Sequence, residues 1–301
     1  MSPISSSLLI PCHNAASHLP RLWLTVGAQS LHFDEIICYD DASTDHTSEV
    51  ASALGARVIR GEINGGAAHA RNQLWQAAVG DWVHFHDADD LLAPTYHAKV
   101  RARVNSETDV VICNALWLRE DTRVREQEWC YSEAELRAAP VPYLLTHPVG
   151  GINGYYRRTA LERIGGFNEQ LKVWEDADLH VRLAVSGARF AVVEESLVSA
   201  LRRGDSLSAG LKQNCQNRLR ALQHYTKILP VDCRPALLSA LDSAARALLV
   251  VGERAGAREA VALSRSLGGD PPATANPLLR LCKRTLGAMA ALHLQSLVRP
   301  S

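Results

Sequence analysis

Residues Asp81–Asp90 read DWVHFHDADD, a short run of interior-type residues that ends in three carboxylates within four positions. Trp82–His86 is rich in aromatic residues and bounded by aspartates, which fits a short strand buried in a parallel sheet. Carboxylates crowded at a strand end repel one another unless a cation or a proton separates them. Hard divalent ions such as Mg²⁺ and Mn²⁺ prefer oxygen ligands, often one or two carboxylates completed by substrate phosphates. Asp87 and Asp89 are therefore candidate metal ligands. Taken alone, the motif fits equally a solvated loop that caps a helix starting near Pro94, so its surroundings must decide.

Working outward, similar short runs occur at Ser7–Ile10, Glu35–Tyr39, Arg57–Arg60 and Asp109–Cys113. Helical stretches separate them at Ala16–Gln29, Thr44–Leu54 and Gly66–Ala78, with Asp45, Asn64 and Pro94 as start or stop signals. Strand and helix alternating at this spacing predict an α/β fold with a mostly parallel sheet flanked by crossover helices. Ligands of such sheets bind beyond the carboxyl ends of the strands. Both acidic clusters fall there: Asp40-Asp41 after the second run, Asp87–Asp90 after the fourth.

Asp40-Asp41-Ala42-Ser43-Thr44-Asp45 opens a helix, and Ser43 or Asp45 suffices as its cap. Two further aspartates exceed what capping needs, and a carboxylate here suits a uracil imide or a ribose hydroxyl. In Asn64-Gly65-Gly66 the glycines let backbone approach a ligand closely, and Arg71 suits a pyrophosphate or a base. The bland alternative is a loop with a surface arginine. Glu175-Asp176 reads either as a helix-opening acidic pair or as catalytic carboxylates.

These pieces together resemble glycosyltransferase family 2 with the GT-A fold, over about residues 5 to 208. The matching segments are LLIPCHN at Leu8–Asn14, EIICYDDASTD at Glu35–Asp45, NGGAAHARN at Asn64–Asn72, DWVHFHDADD at Asp81–Asp90, IGGFNE at Ile164–Glu169 and WEDADLHVRL at Trp174–Leu183. The resemblance implies an inverting transferase with a nucleotide-sugar donor, a UDP-sugar above others, and a saccharide or lipid-linked acceptor, as in cell-surface polysaccharide synthesis. It implies that Pro11, His13, Asn14, Asp40, Asp41, Arg71, Asp87 and Ala88 surround the nucleotide. His13 stands where an aromatic residue is commoner. Asp89, assisted by Asp87, would hold Mn²⁺ or Mg²⁺, with Asp90 structural. Asp176 is similar to the catalytic base, with Glu175 beside it, and Arg202 or Arg203 falls where a basic loop often meets the diphosphate. The QxxRW signature of processive synthases is absent, which points to one transfer per encounter.

Two other readings compete. A sugar-phosphate nucleotidyltransferase shares this architecture but would carry a basic glycine-rich loop where this chain reads Pro11-Cys12-His13-Asn14. A catalytically inactive nucleotide-sugar-binding module would be expected to lose an acidic motif, and both acidic motifs are intact.

From about Ser206 the texture becomes Ala-, Leu- and Arg-rich, which predicts a helical extension over 206–301 after a catalytic domain at 1–205. Helices are expected at Leu211–Ile228, Arg234–Ala255, Ala257–Leu267 and Pro277–Val298. The last is basic at Arg280, Lys283 and Arg284, so it suits either a membrane surface or packing with a solvated basic face. The formal net charge is zero, which removes the electrostatic case for a nucleic-acid partner. Seven cysteines without a CxxC pair suggest reduced thiols. The opening MSPISSSLLIPCHN has no basic n-region, and no run reaches the ~18 apolar residues of a membrane span. A cytoplasmic protein, or one peripheral at the inner membrane face, is the expectation.

Overall fold

The computed structural model describes residues 4–202, 210–272 and 276–298. Chain contacts divide the protein into two units, Met1–Gly204 and Asp205–Ser301.

The first unit is built on one sheet. Its described strands are β1 (Ser6–Cys12), β2 (Glu35–Asp40), β3 (Arg57–Arg60), β4 (Trp82–Phe85), β5 (Leu91–Leu92), β6 (Val110–Arg119), β7 (Arg125–Trp129), β8 (Gly154–Arg157) and β9 (Phe190–Arg202). They lie in the order β3-β2-β1-β4-β8-β6-β9-β5, with β7 paired to β6. From β3 to β4 every pairing is parallel, as the sequence reading expects. Past β4 the sheet is mixed: β8 runs antiparallel to β4 and β6, while β9 is parallel to β6. The reason lies in the connections. Helix-length crossovers separate the first four strands, whereas β6 reaches β7 through a short turn that permits only an antiparallel pair.

Helices α1 (Leu19–Gly27), α2 (Thr47–Ala53), α3 (Ala67–Ala77) and α4 (Tyr96–Ala102) follow β1, β2, β3 and β5. Then come α5 (Glu133–Ala138), α6 (Pro140–Thr146), α7 (Arg158–Ile164) and α8 (Glu175–Val185). One buried cluster joins Leu8 and Ile10 of β1, Leu22 of α1, Trp82 of β4 and Cys113 of β6. It also takes in Ala88, so the acidic loop is rooted in the core. With β1 and β4 central, the carboxyl ends of β1, β2 and β4 bring residues 13–14, 40–45 and 86–90 to one edge.

The second unit is helical: α9 (Leu211–Ile228), α10 (Arg234–Val250), α11 (Arg254–Ser266), α12 (Pro277–Leu286) and α13 (Ala288–Val298). The single helix expected over Pro277–Val298 is two, broken at Gly287, whose φ of 88° lies outside helical space. Asn276 caps α12 by accepting from the Leu278 and Leu279 amides. The helix expected over Arg234–Ala255 likewise stops at Val250, ahead of Gly252 with φ 79°. Among the described residues, no helix is long and apolar enough to cross a membrane.

Candidate active site

The two aspartates that end β2 have separate tasks. Asp40 is buried; it accepts from the Ser43 amide at 2.9 Å and from the Ser48 hydroxyl, with Arg60 at 4.0 Å. Burial alone would raise its pKa, but these hydrogen bonds and Arg60 outweigh it and hold the carboxyl below its ordinary range. Asp41, also buried, accepts from the Gly65 and Gly66 amides at 2.9 and 2.8 Å. The glycine loop is thereby tied to the end of β2. Asp45 accepts from the Thr47 amide and stands in for a cap on α2.

His13 and Asn14 sit exposed past β1, with Pro11 partly covered. His13 Nδ1 donates to the Asp41 carbonyl at 2.9 Å, leaving Nε2 to face the Asn14 and Asn64 amides, each at 3.3 Å. Asn14 adopts φ 50° and accepts from the Thr44 amide. These residues line one rim.

Arg71 on α3 joins the two acidic motifs. It is only 4% exposed, and its Nη1 donates to Glu175 Oε1 at 2.6 Å while Nη2 donates to Asp87 Oδ1 at 2.7 Å. The sequence reading placed Arg71 at a pyrophosphate or a base; the structure commits two of its nitrogens to carboxylates. Burial would lower its pKa, but Asp87, Glu175 and Asp176 drive it above the usual arginine value. Glu175, nearly buried, is pushed up to about 7 by desolvation and by the Asp176 charge, against Arg71. Asp176 is raised as well, first by burial and then by Asp87, against Arg71 and two amides. Those amides are Ala177 N–H to Oδ1 at 2.7 Å and Gly151 N–H to Oδ2 at 3.1 Å. A carboxylate at a helix start is weakened as a base by the dipole; burial restores part of that basicity here.

Within the acidic loop, Asp87 is about a third exposed and Ala88 is buried. Asp89 is half-buried, and its carbonyl accepts from Arg21 Nη2 at 2.9 Å. Arg21 Nη1 also pairs with Glu120 at the end of β6, at 2.7 Å. Asp90 turns inward, where its carboxylate accepts from the Leu201 amide of β9 at 2.8 Å. Among the described residues, no three His, Cys, Asp or Glu side chains converge as a metal cage. Asp87 and Asp89 nonetheless offer hard oxygen donors that suit a divalent cation completed by substrate phosphates. Arg202 lies over the Trp117 ring at 4.3 Å, and Arg203 falls outside the described residues.

Several supporting residues escaped the sequence reading. Asn72, one position after Arg71, accepts from the Phe167 amide and donates to the Phe167 carbonyl and Glu169, docking the IGGFNE segment on α3. Gly166 has φ 73°, and a Cβ there would come within 2.4 Å of Asn72 Oδ1, so only glycine fits. Trp174 holds φ 75° immediately before Glu175, a conformation rare for a bulky residue and found mostly where function demands it. Behind the acidic loop, His84 and His86 are fully buried with ring nitrogens 3.2 Å apart. Burial lowers both pKa values, that of His86 to about 4.

The comparisons agree with this architecture. An uncharacterised glycosyltransferase, YibD, of Escherichia coli strain K12 is 28% identical over 243 residues, 74% of this chain and 68% of that one. The succinoglycan biosynthesis protein ExoU of Rhizobium meliloti strain 1021 is 26% identical over 229 residues, 69% and 65% of the two chains. This chain thus spans about two thirds of the length of either relative. Among solved structures, S. aureus TarS 1–349 in complex with UDP-GlcNAc matches with a TM-score of 0.61 at 17% identity, covering 91% of this chain and 95% of that one. The mannosyltransferase PcManGT of Pyrobaculum calidifontis, in complex with GDP-Man and Mn²⁺, matches at 0.63 and 19%, covering 99% and 87%. These two establish the likeness of fold. Residues 7–165, over half of the chain, match the family model of glycosyl transferase family 2, and this chain belongs to that family of glycosyltransferases.

Proposed function

We propose that the protein transfers a sugar from a nucleoside diphosphate donor, a UDP-sugar foremost, to a hydroxyl of a saccharide or lipid-linked acceptor, with inversion, in cell-surface polysaccharide synthesis. One observation carries the reading: Arg71 holds Asp87 of the donor-side loop and Glu175 of the Glu-Asp pair in a single buried fork. This convergence of Asp87 and Glu175 supports a single centre for donor and acceptor.

In the displacement, the acceptor oxygen attacks the anomeric carbon and its bond to that carbon forms. The bond from the anomeric carbon to the diphosphate oxygen breaks, and its electron pair leaves with the nucleoside diphosphate. The acceptor proton passes to Asp176, which must be ionised to receive it. A Mn²⁺ or Mg²⁺ ion, when bound, neutralises charge on the departing diphosphate; Asp89, with Asp87, would hold it. Asp41, His13 and Asn14 border the nucleotide base and ribose, Asp41 through the glycine loop it orders. Pro11, Asp40 and Ala88 support the same rim.

The second unit makes a peripheral contact with an anionic membrane through α12, on which Leu278, Leu281 and Leu286 are exposed beside Arg284. Co-sedimentation with phosphatidylglycerol vesicles tests it, and binding that survives a combined Leu278→Ser and Leu281→Ser change removes α12 from the contact.

A nucleotide-sugar panel, scored for released diphosphate with Mn²⁺ present, tests the main reading. Release from at least one donor, abolished by excess chelator, is expected. No release from any donor, with no nucleotide bound, overturns it.

A further inference from the structure

The tryptophans of the β6–β7 hairpin have no part in the scheme above. Trp117 and Trp129 are same-face diagonal neighbours, since Ala115 pairs with Trp129 and Trp117 with Gln127. Their rings lie 4.9 Å apart at 55°, and both are half-buried against the cluster that contains Ala88 and Ile152. The rest of β7, Arg125–Glu128, is exposed and strongly polar.

The hairpin is fastened to both halves of the candidate centre. On one side, a Cβ placed on Gly150 would lie 3.6 Å from Trp129 Cζ3 and 3.9 Å from Asp176 Oδ2, so indole and carboxylate border the same point. On the other, Arg21 joins Glu120, at the end of β6, to the Asp89 carbonyl. Arg202 covers the Trp117 ring, and among the described residues the Trp117 Nε1–H has no acceptor although it is closed to bulk water. A half-covered indole pair thus borders Asp176 through Trp129, with Arg202 packed on its other member, Trp117.

From this geometry we infer that Trp129, backed by Trp117, is the stacking platform for the acceptor's pyranose ring, a specificity-determining element of the transfer. The ring C–H groups of a pyranose are partially positive and pack on the negative face of an indole. Sugar hydroxyls are left at the rim of such a platform, free to reach polar side chains around it. Placed there, a saccharide brings a hydroxyl toward Asp176. The inference rests on the transferase reading for its consequence in catalysis, but the saccharide contact is measurable by itself.

The test uses the full chain with methyl glycosides of glucose, galactose, mannose and N-acetylglucosamine, followed by saturation-transfer NMR, and UDP with Mn²⁺ as the nucleotide probe. Trp129→Leu keeps an apolar filler against the core; Trp129→Phe keeps an aromatic face. Saturation transfer to at least one glycoside in the wild type is expected, lost in Trp129→Leu and largely retained in Trp129→Phe, with UDP affinity unchanged in both. In turnover, Trp129→Leu should raise the acceptor KM about tenfold with donor KM unmoved. A merely structural tryptophan would make Leu and Phe equivalent, and that result, or no glycoside contact in the wild type, overturns the platform. Glycoside contact in a protein that binds no UDP sinks the transferase reading instead.

Discussion

Arg71 and Glu175, 104 positions apart in the chain, meet at 2.6 Å in a buried ion pair whose second prong reaches Asp87. The planar guanidinium directs separate nitrogens at the two carboxylates, a span that a compact ammonium does not reproduce. Were Arg71 absent, Glu175, Asp176 and Asp87 would face one another without a counter-charge.

Arg71→Met should therefore cost roughly 3–5 kcal/mol of stability, because it leaves buried carboxylates unpaired. Urea denaturation reads this directly. Arg71→Lys should recover only part of the loss, and a wild-type midpoint in Arg71→Met would remove the fork from the account.

Asp176→Asn keeps the shape of the side chain but removes the carboxylate proposed to accept the acceptor's proton. Transfer should fall by about 10²–10⁴, while UDP affinity measured by calorimetry stays near wild type. Undiminished turnover would take the base elsewhere.

Asp41→Asn replaces one carboxylate oxygen with an amide group that cannot accept from Gly65 or Gly66. Losing a charge-assisted hydrogen bond there should cost about 1–3 kcal/mol. UDP affinity should drop with it, because the glycine loop is no longer held. A variant with unaltered stability would mean that the loop is ordered without Asp41.

Stability should also fall in mild acid. His86 and His180 are buried, with pKa values lowered to about 4, first through desolvation. A base depressed in the folded state binds fewer protons there than in the unfolded chain, so its contribution is present above about 6.5 and is lost as pH falls toward 4. Each site accounts for about 3 kcal/mol over that window. Glu175 acts in the opposite sense: raised to about 7, it favours the folded state when protonated, and that contribution is lost as pH rises through 7. His180→Gln should flatten the acid limb of a melting-temperature profile and Glu175→Gln the neutral one. Unchanged slopes in both would contradict the assignment.

Much of the fold is legible in the sequence because the signals are local. Residues 82–86 fit a short buried strand, found at Trp82–Phe85, and the acidic residues after it fall at the sheet edge where strand–helix alternation puts them. The break at Gly287 was not read because the residues on both sides keep helical spacing, and one glycine within a helical pattern is tolerated. The site divides in the same way. Which residue types gather there is visible in the motifs, whereas the partner of each side chain depends on tertiary distance. Nothing near Arg71 in the chain signals that it faces Asp87 and Glu175, and nothing near Asp41 signals Gly65. Trp174 opposes its own propensity, since a bulky residue at φ 75° is what local rules argue against. Gly151 gave no signal at all, being one of two adjacent glycines in an otherwise ordinary loop.

The brace from Arg21 to Glu120 and the Asp89 carbonyl matters most to anyone who would retarget the enzyme. A hairpin transplanted from a relative to change the acceptor would ordinarily be cut at the ends of β6 and β7, as if it were a detachable cassette. Here the cut passes through Glu120, so a graft without a carboxylate at that position releases Arg21 and slackens the loop proposed to handle the leaving group. Donor turnover would then suffer from a change aimed only at the acceptor, and chimeras should carry Glu120 and Arg21 as a linked pair.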